Sequence, residues 1–541
     1  MKKRLLALLI IPVSCGLMGF GLVWNDNYFD IVKNIEIFTK VYKELNANYA
    51  EDVDPNSLMK IGLDAMVNSL DPYTVYYSES QIEKYRYLQE GKYNGIGGDL
   101  AIVDGHITIT ETVAKSPLSQ SGLKAGDKIL KVEDEDVVGI PISQFMGLLR
   151  TYGGETVRLT VSRVGESAPI VRALQKGEVE VNNVPYYKVI DGDIGYVILT
   201  TFTRNASGNI KKAINDMKKE NPEVKGVILD LRYNGGGLLN EAVNICNLFI
   251  PEGKLVVSTK GKLKDKDQIF KTRGSALDPE IPLAVLINGR SASASEIVSG
   301  VIQDYDRGVL LGQQSFGKGL VQNTREIGYN SRLKVTISKY YIPSNRCIQG
   351  VAYDNGKPVD IPDSLRSQYT TENGRTVLDG GGVQPDIELV KKENNELVQA
   401  LTDQHMFLKY ANTYVATRDS IVDYEEWNYT EYEDFLKFLQ SEGFSYTHSH
   451  EKMLRTMVEE SVNDTQKIEL KDALAAVEEY KKSLLNSSQE TITDILEEEL
   501  VSRYHFETGR VAVKLRNDDE VTAAVQVLKD KERYNQILAI K

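Results

Sequence analysis

The chain is short of two residue types that enzymes commonly recruit. It has three cysteines (Cys15, Cys246, Cys347) and five histidines in 541 residues. So few cysteines exclude a disulfide framework and a cysteine-rich zinc site. No histidine lies between His106 and His405, so chemistry housed in that stretch has no imidazole base of its own. A basic excess is missing too: 64 Lys+Arg stand against 77 Asp+Glu, a formal charge of −13. That balance argues against a nucleic-acid binder, which needs a positive surface to meet phosphates. Apolar residues are no more than 41%, an ordinary globular share that argues against a multi-pass membrane protein.

What is present is ordinary globular composition, with 41% apolar and 26% charged residues. The length suggests about three to four domains. The acid is uneven. Residues 391–541 hold 19 Lys+Arg and 30 Asp+Glu, a balance of −11 that leaves −2 for everything before them. The C-terminal part therefore has a different character. At the other end Lys2-Lys3-Arg4 precedes 20 uncharged residues, Leu5 to Trp24. As a helix that run would be ~30 Å long, enough to cross a bilayer. The basic flank would stay in the cytoplasm and the rest would be exported. The run is longer than the core of a typical signal peptide and lacks an Ala-x-Ala-like end. An uncleaved membrane anchor is the expectation, with a signal peptide as the alternative.

Residues 25–90 read as helical. Ile31, Ile35, Phe38, Val41, Tyr42 and Leu45 recur at helical spacing, and a second helix is expected from Pro55 to Leu70. Asp71-Pro72-Tyr73-Thr74 ends it, because proline disfavours helix in the residue before it. Residues 91–178 read as short strands and turns. Gly95-Ile96-Gly97-Gly98 opens this unit, Ile107 and Ile109 alternate with threonines, and Ser116 to Val132 reads SPLSQSGLKAGDKILKV. This pattern resembles a PDZ domain of the bacterial protease type. The resemblance implies that Gly95, Ile96, Gly97 and Gly98 hold a peptide's terminal carboxylate on backbone N–H groups, with the peptide added as a strand.

Residues 179–395 alternate strands and helices: strands at 194–202, 224–231 and 281–288, helices at 238–249 and 294–305, and a half-buried strand carrying Leu333, Val335 and Ile337. This is α/β layering. Residues 396–541 read as acidic helices. Their Thr447-His448-Ser449-His450 lacks the clustered partners of a metal site.

Three segments of the α/β part could carry chemistry. Asp230 to Ala242 runs from a buried strand through Gly235-Gly236-Gly237 into a helix. It matches neither a P-loop nor G-x-G-x-x-G, and an oxyanion is a better ligand for it than a phosphate. Asn288 to Gly300 places Ser291, Ser293 and Ser295 at a helix start, where one of them could be a nucleophile beside a free N–H or simply a helix cap. Gly312 to Gln322 sets Lys318 between glycines. A lysine starved of water becomes a base near neutral pH, and with imidazole missing it is the natural partner for a local serine.

Together these segments resemble the carboxyl-terminal processing peptidases, the tail-specific proteases of family S41. Leu70 to Thr74, Lys339 to Ser344 and Gly382 to Ile387 extend the match over residues 30–395. The resemblance implies an α/β fold. It has a crotonase-like β/α protease core with an inserted PDZ domain, an N-terminal helical segment and a C-terminal helical region. It makes Ser293 the nucleophile and Lys318 the general base, with Gln322 orienting the lysine. Gly236 and Ala294 would form the oxyanion hole, and Arg232, Glu296 and Asp304 would support the site. No metal or organic cofactor is implied. The expected partners are protein or peptide substrates with free C-termini and, through residues 1–24, a membrane, with no nucleic acid. The acidic tail is a candidate surface for self-association or an adaptor. A binding scaffold without catalysis and an acyl-CoA enzyme are the rival readings. The intact Ser293, Lys318 and Gln322 weigh against the first, and the export segment and PDZ pattern against the second.

Overall fold

A computed structural model describes residues 26–81, 91–151, 156–354, 357–360, 362–390, 395–461 and 463–540. The expected anchor, residues 1–24, lies outside them. Among the described residues no helix is long and apolar enough to cross a membrane.

Helices α1 (Asp26–Asn48) and α2 (Pro55–Asn68) open the described chain. Asp54 caps α2, accepting the N–H groups of Asn56 and Ser57, and Pro55 takes the first turn. The apolar stripe of α1 remains exposed at Ile31, Ile35, Phe38, Val41 and Leu45. After the Asp71–Thr74 turn, strand β1 (Val75–Tyr77) leaves this segment for a sheet of the α/β part.

The next unit is an antiparallel sheet whose edge strand is β2 (Gly98–Val103), flanked by helix α3 (Ile142–Thr151). Ile107, Ile109, Leu118, Ile129, Phe145 and Leu149 form its core. The unit leans on the C-terminal helices: Lys409 pairs with Asp104 at 2.8 Å and Arg510 with Glu111 at 3.5 Å.

The centre of the molecule is a six-stranded sheet in the order 187–190, β3 (Ile194–Ile198), β4 (Gly226–Asp230), β5 (Leu283–Ile287), β6 (Val309–Gly312) and 387–388. Only its first strand is antiparallel. Alternate residues point to opposite faces. Val227, Leu229, Val285 and Ile287 meet helix 206–220, α4 (Leu239–Phe249) and α5 (Ala294–Asp304) on one face. Ile228, Ala284, Leu286 and Leu311 meet the other layer, which comes from the end of the chain: the second half of α7 (Gln489–Arg516, kinked at Phe506), α8 (Asp519–Lys529) and α9 (Lys531–Ile537). All five residues of β4 are buried, as a doubly covered strand requires. The acidic region thus supplies one of the two helical layers that cover the central sheet. Its earlier helices, including α6 (Met406–Val415), build a separate aromatic core of Phe407, Tyr410, Tyr429 and Phe435. A second sheet, with long strands β7 (Leu320–Gly328) and β8 (Ser331–Tyr341), receives β1 at its edge. A hairpin beginning with β9 (Val351–Asp354) follows.

Candidate active site

Three loops at the C-terminal ends of β4, β5 and β6 converge, where parallel α/β sheets place their sites. Ser293 ends the β5 loop and caps α5 with φ 58° and ψ −109°, a conformation that costs a non-glycine residue free energy. Its N–H donates to Glu296 Oε2 at 2.7 Å. Ala294 follows as the first helical residue, so its N–H has no acceptor within the helix.

Glu296 is fully buried and ties two loops together. Besides the Ser293 amide it accepts Lys318 N–H at 2.8 Å on the same oxygen, and Gly317 N–H and Ser315 Oγ, both at 2.6 Å, on the other. Burial pushes its carboxyl up, and these donors oppose that. Tyr340 adds a second tie. Its hydroxyl lies 3.0 Å from Ser293 O and 2.5 Å from Lys318 O, with one proton between two acceptors.

Gly236 belongs to the loop after β4. A Cβ there would stand 2.6 Å from Ala292 O and 2.9 Å from both Ala294 N and Ser293 Cβ, and φ is +97°. Only glycine fits. Its backbone therefore lies against the Ser293–Ala294 turn, while its own N–H donates to Asn234 Oδ1 at 2.9 Å. Asn234, buried, accepts Ala292 N–H at 3.0 Å and Ser295 Oγ at 2.8 Å on its carbonyl and donates its amide to Leu199 O. Asn234 and Tyr340 are structural members of the site to which sequence reasoning gave no role, and Ser295, a candidate there, bonds to the Asn234 carbonyl. An Asn two residues before a glycine is an Asx-turn signal that could have found the first. Nothing local marks Tyr340.

Lys318 is half-buried, and loss of solvation pushes its amine from 10.5 down to about 8. Lys334 adds to the lowering, and Glu296 and Asp71 oppose it. The amine rests over the ring of Tyr73, 4.3 Å from its centroid. The Gln322 amide donates to Thr336 Oγ1 at 3.2 Å, within its own sheet. Arg232 spends its guanidinium on the end of β4 and the start of α8. It pairs with Asp230 at 2.6 Å, Asp518 at 2.7 Å and Glu520 at 2.6 Å. Asp304 sits at the far end of α5, about 15 Å from Ser293 by helical rise. There it pairs with buried Arg346 at 2.9 Å and accepts Ser344 N–H.

In the first unit Gly97 has φ +80°, and a Cβ on it would strike Ser116. Ser116 Oγ and Val113 N–H donate to Gly97 O at 2.8 and 2.9 Å, and Leu118 N–H donates to Ile96 O at 2.8 Å. Gly98 begins edge strand β2, and Gly95 ends the short strand paired with residues 177–180. Among the described residues no three metal-ligating side chains cluster.

Comparison with known proteins agrees with this layout. Peptidase family S41 matches residues 193–356, the PDZ domain residues 88–162, and "Probable PDZ-protease, C-terminal helical domain" residues 397–528. A "Carboxy-terminal-processing protease" of Bartonella bacilliformis is 32% identical over 342 residues, 63% of this chain and 78% of that one. A "Probable CtpA-like serine protease" of Staphylococcus aureus is 31% identical over 392 residues, 70% of this chain and 77% of that one. Among solved structures, a photosystem II D1 C-terminal processing protease is 24% identical and covers 64% of this chain and 85% of its own, with a TM-score of 0.34. The sequence relatives and the family matches agree, and the chain belongs to peptidase family S41, as a serine peptidase that carries a PDZ domain.

Proposed function

We propose that the protein is an exported, membrane-anchored endopeptidase that recognises C-terminal tails and cleaves with a Ser293–Lys318 dyad. The observation that carries this reading is the sharing of Glu296 Oε2 by the Ser293 and Lys318 amides. It ties the backbone of a helix-tip serine to that of a water-poor lysine, which supports pairing the two. A substrate tail adds along β2 and places its carboxylate at Gly95–Gly98, while the preceding chain reaches Ser293. The amine swings from Tyr73 to Ser293 Oγ and, neutral, takes its proton. The oxygen attacks the peptide carbonyl carbon. The resulting oxyanion accepts the Ala294 N–H and the Gly236 N–H, which leaves Asn234 to do so. The C–N bond breaks as the Lys318 ammonium returns the proton to the departing amine. Water then hydrolyses the acyl-enzyme by the same proton route. The Lys2–Trp24 segment supports export and anchoring.

The test is digestion of an unfolded reporter with an apolar C-terminal tail. Ser293→Ala and Lys318→Ala should each abolish cleavage while retaining tail binding. Turnover at the parent rate by either variant would reject the dyad.

A further inference from the structure

In the mechanism above the Asp71-Pro72-Tyr73-Thr74 turn gives the amine only its resting place, 4.3 Å from the Tyr73 ring centroid. Its position is determined from several sides. Buried Asp71 accepts Tyr73 N–H at 2.8 Å and Thr74 N–H at 2.7 Å on one carboxylate oxygen, and Thr74 Oγ1 at 3.1 Å on the other. Thr336 N–H donates to Thr74 Oγ1 at 3.3 Å. β1, which follows at once, pairs antiparallel with β8, Val75 opposite Lys334. The Tyr353 hydroxyl of the β9 hairpin donates to the Tyr73 oxygen at 3.1 Å, with the two rings edge to face at 6.0 Å. A ring fixed by three elements lies against the amine of a fourth, at 4.3 Å from centroid to Nζ.

From this juxtaposition we infer that Tyr73 is a positioning residue for the reaction: its ring is the cover that keeps water off the Lys318 amine. The inference rests on Lys318 being the general base. Two effects of the ring oppose each other. Its π face attracts an ammonium and favours the charged form. Its bulk excludes the water an ammonium needs and disfavours that form. The charges around the amine divide as well. Lys334 on β8 lowers its proton affinity, and Glu296 on α5 and Asp71 beside the ring raise it. Lost solvation is the largest influence and brings the amine to about 8, and the ring 4.3 Å away is one of the groups that deny it water. Without the cover the amine returns toward its ordinary 10.5. A full return cuts the neutral fraction at pH 7 by up to about 300-fold.

The experiment is the pH profile of kcat/KM from pH 6 to 10.5 on the tailed reporter, using the full chain and its Tyr73→Phe, Tyr73→Ala, Tyr73→Leu and Lys318→Ala variants. The parent should show an acid limb near pH 8, and Tyr73→Phe, which keeps the ring, should keep that limb. Tyr73→Ala should move the limb up by about one pH unit or more and slow cleavage at pH 7 by about tenfold or more. Alkaline pH should repair most of the loss. Tyr73→Leu, smaller than the ring but apolar, should move the limb up by less, and it decides the matter if the alanine variant does not fold. A limb that stays in place in the folded variants, whether the rate is unchanged or lowered evenly at every pH, overturns the inference. Lys318→Ala separates this failure from that of the dyad. If it is inactive while the limb stays put, only the role of Tyr73 falls. If it cleaves at the parent rate, the dyad falls first.

Discussion

Two loops meet at Ser293, and they are held in opposite ways. The Ser293 turn is fastened from within. Glu296, three residues on, takes its amide and at the same time holds the Lys318 loop. The glycine turn after β4 is fastened from outside. Arg232, just before it, is gripped by Asp518 at the cap of α8 and by Glu520 in its first turn, 286 and 288 residues away in sequence. Lys514 of α7 and Arg290 also lie over the Tyr233 ring of that turn. The Ser293 turn therefore depends on its own helix, whereas the glycine turn depends on the last layer of the fold. The C-terminal region is an anchor of the peptidase core as well as its cover.

The comparison breaks most completely if that layer is removed. Deleting residues 518–541 strips Val521, Val525, Leu528 and Tyr534 from the sheet. At ~1.5–3 kcal/mol for each large side chain, the loss is about 10 kcal/mol, as large as the net stability of a typical domain. The truncated chain should fail to fold, with early proteolysis and dye binding to exposed apolar surface as the readout. A soluble, active truncation would show that the layer is an ornament. A smaller effect is expected from Glu296→Ala, which leaves three amides and the Ser315 hydroxyl without their acceptor. At roughly 1–3 kcal/mol for each buried group left unpaired, stability should fall by several kcal/mol and cleavage by about 100-fold or more. Thermal unfolding and labelling by a serine-directed acylating probe measure the two losses. The smallest effect, and the sharpest test, comes from Asp518→Asn with Glu520→Gln. Shape is kept and the charges opposite Arg232 are halved or better. We expect kcat to fall about tenfold with KM little changed, as for a group acting only through the oxyanion turn. An unchanged kcat would detach the glycine turn from the C-terminal helices.

The sequence exposed the parts whose physics is local. The buried strand read at 224–231, the helix read at 294–305 and the glycine-flanked Lys318 each carry their reason within about a dozen residues, and the strands read at 194–202 and 281–288 fall where the structure has 194–198 and 283–287. What escaped was contact across distance. An apolar run tells that β4 is covered on both faces, not that Leu528 does the covering. Gln322 stands four residues after Lys318, but on a strand whose ladder turns its amide to Thr336. Gly236 is legible as a glycine that must approach closely, yet the Asn234 side chain that receives its N–H is visible only once the turn is built. Asp304 shares a helix with Ser293, and helical rise alone carries it to the other end. The helical stripe of α1 was legible too, and within one chain it stays uncovered.

The grip on Arg232 also has a consequence in time. A ribosome builds from the N-terminus, so Ser293 and Lys318 are made some 200 residues before Asp518. Until α8 is translated and docked, the glycine turn lacks its fastening and the central sheet lies bare on one side. A half-made chain thus holds Ser293 and Lys318 before the contacts that fasten Arg232 exist.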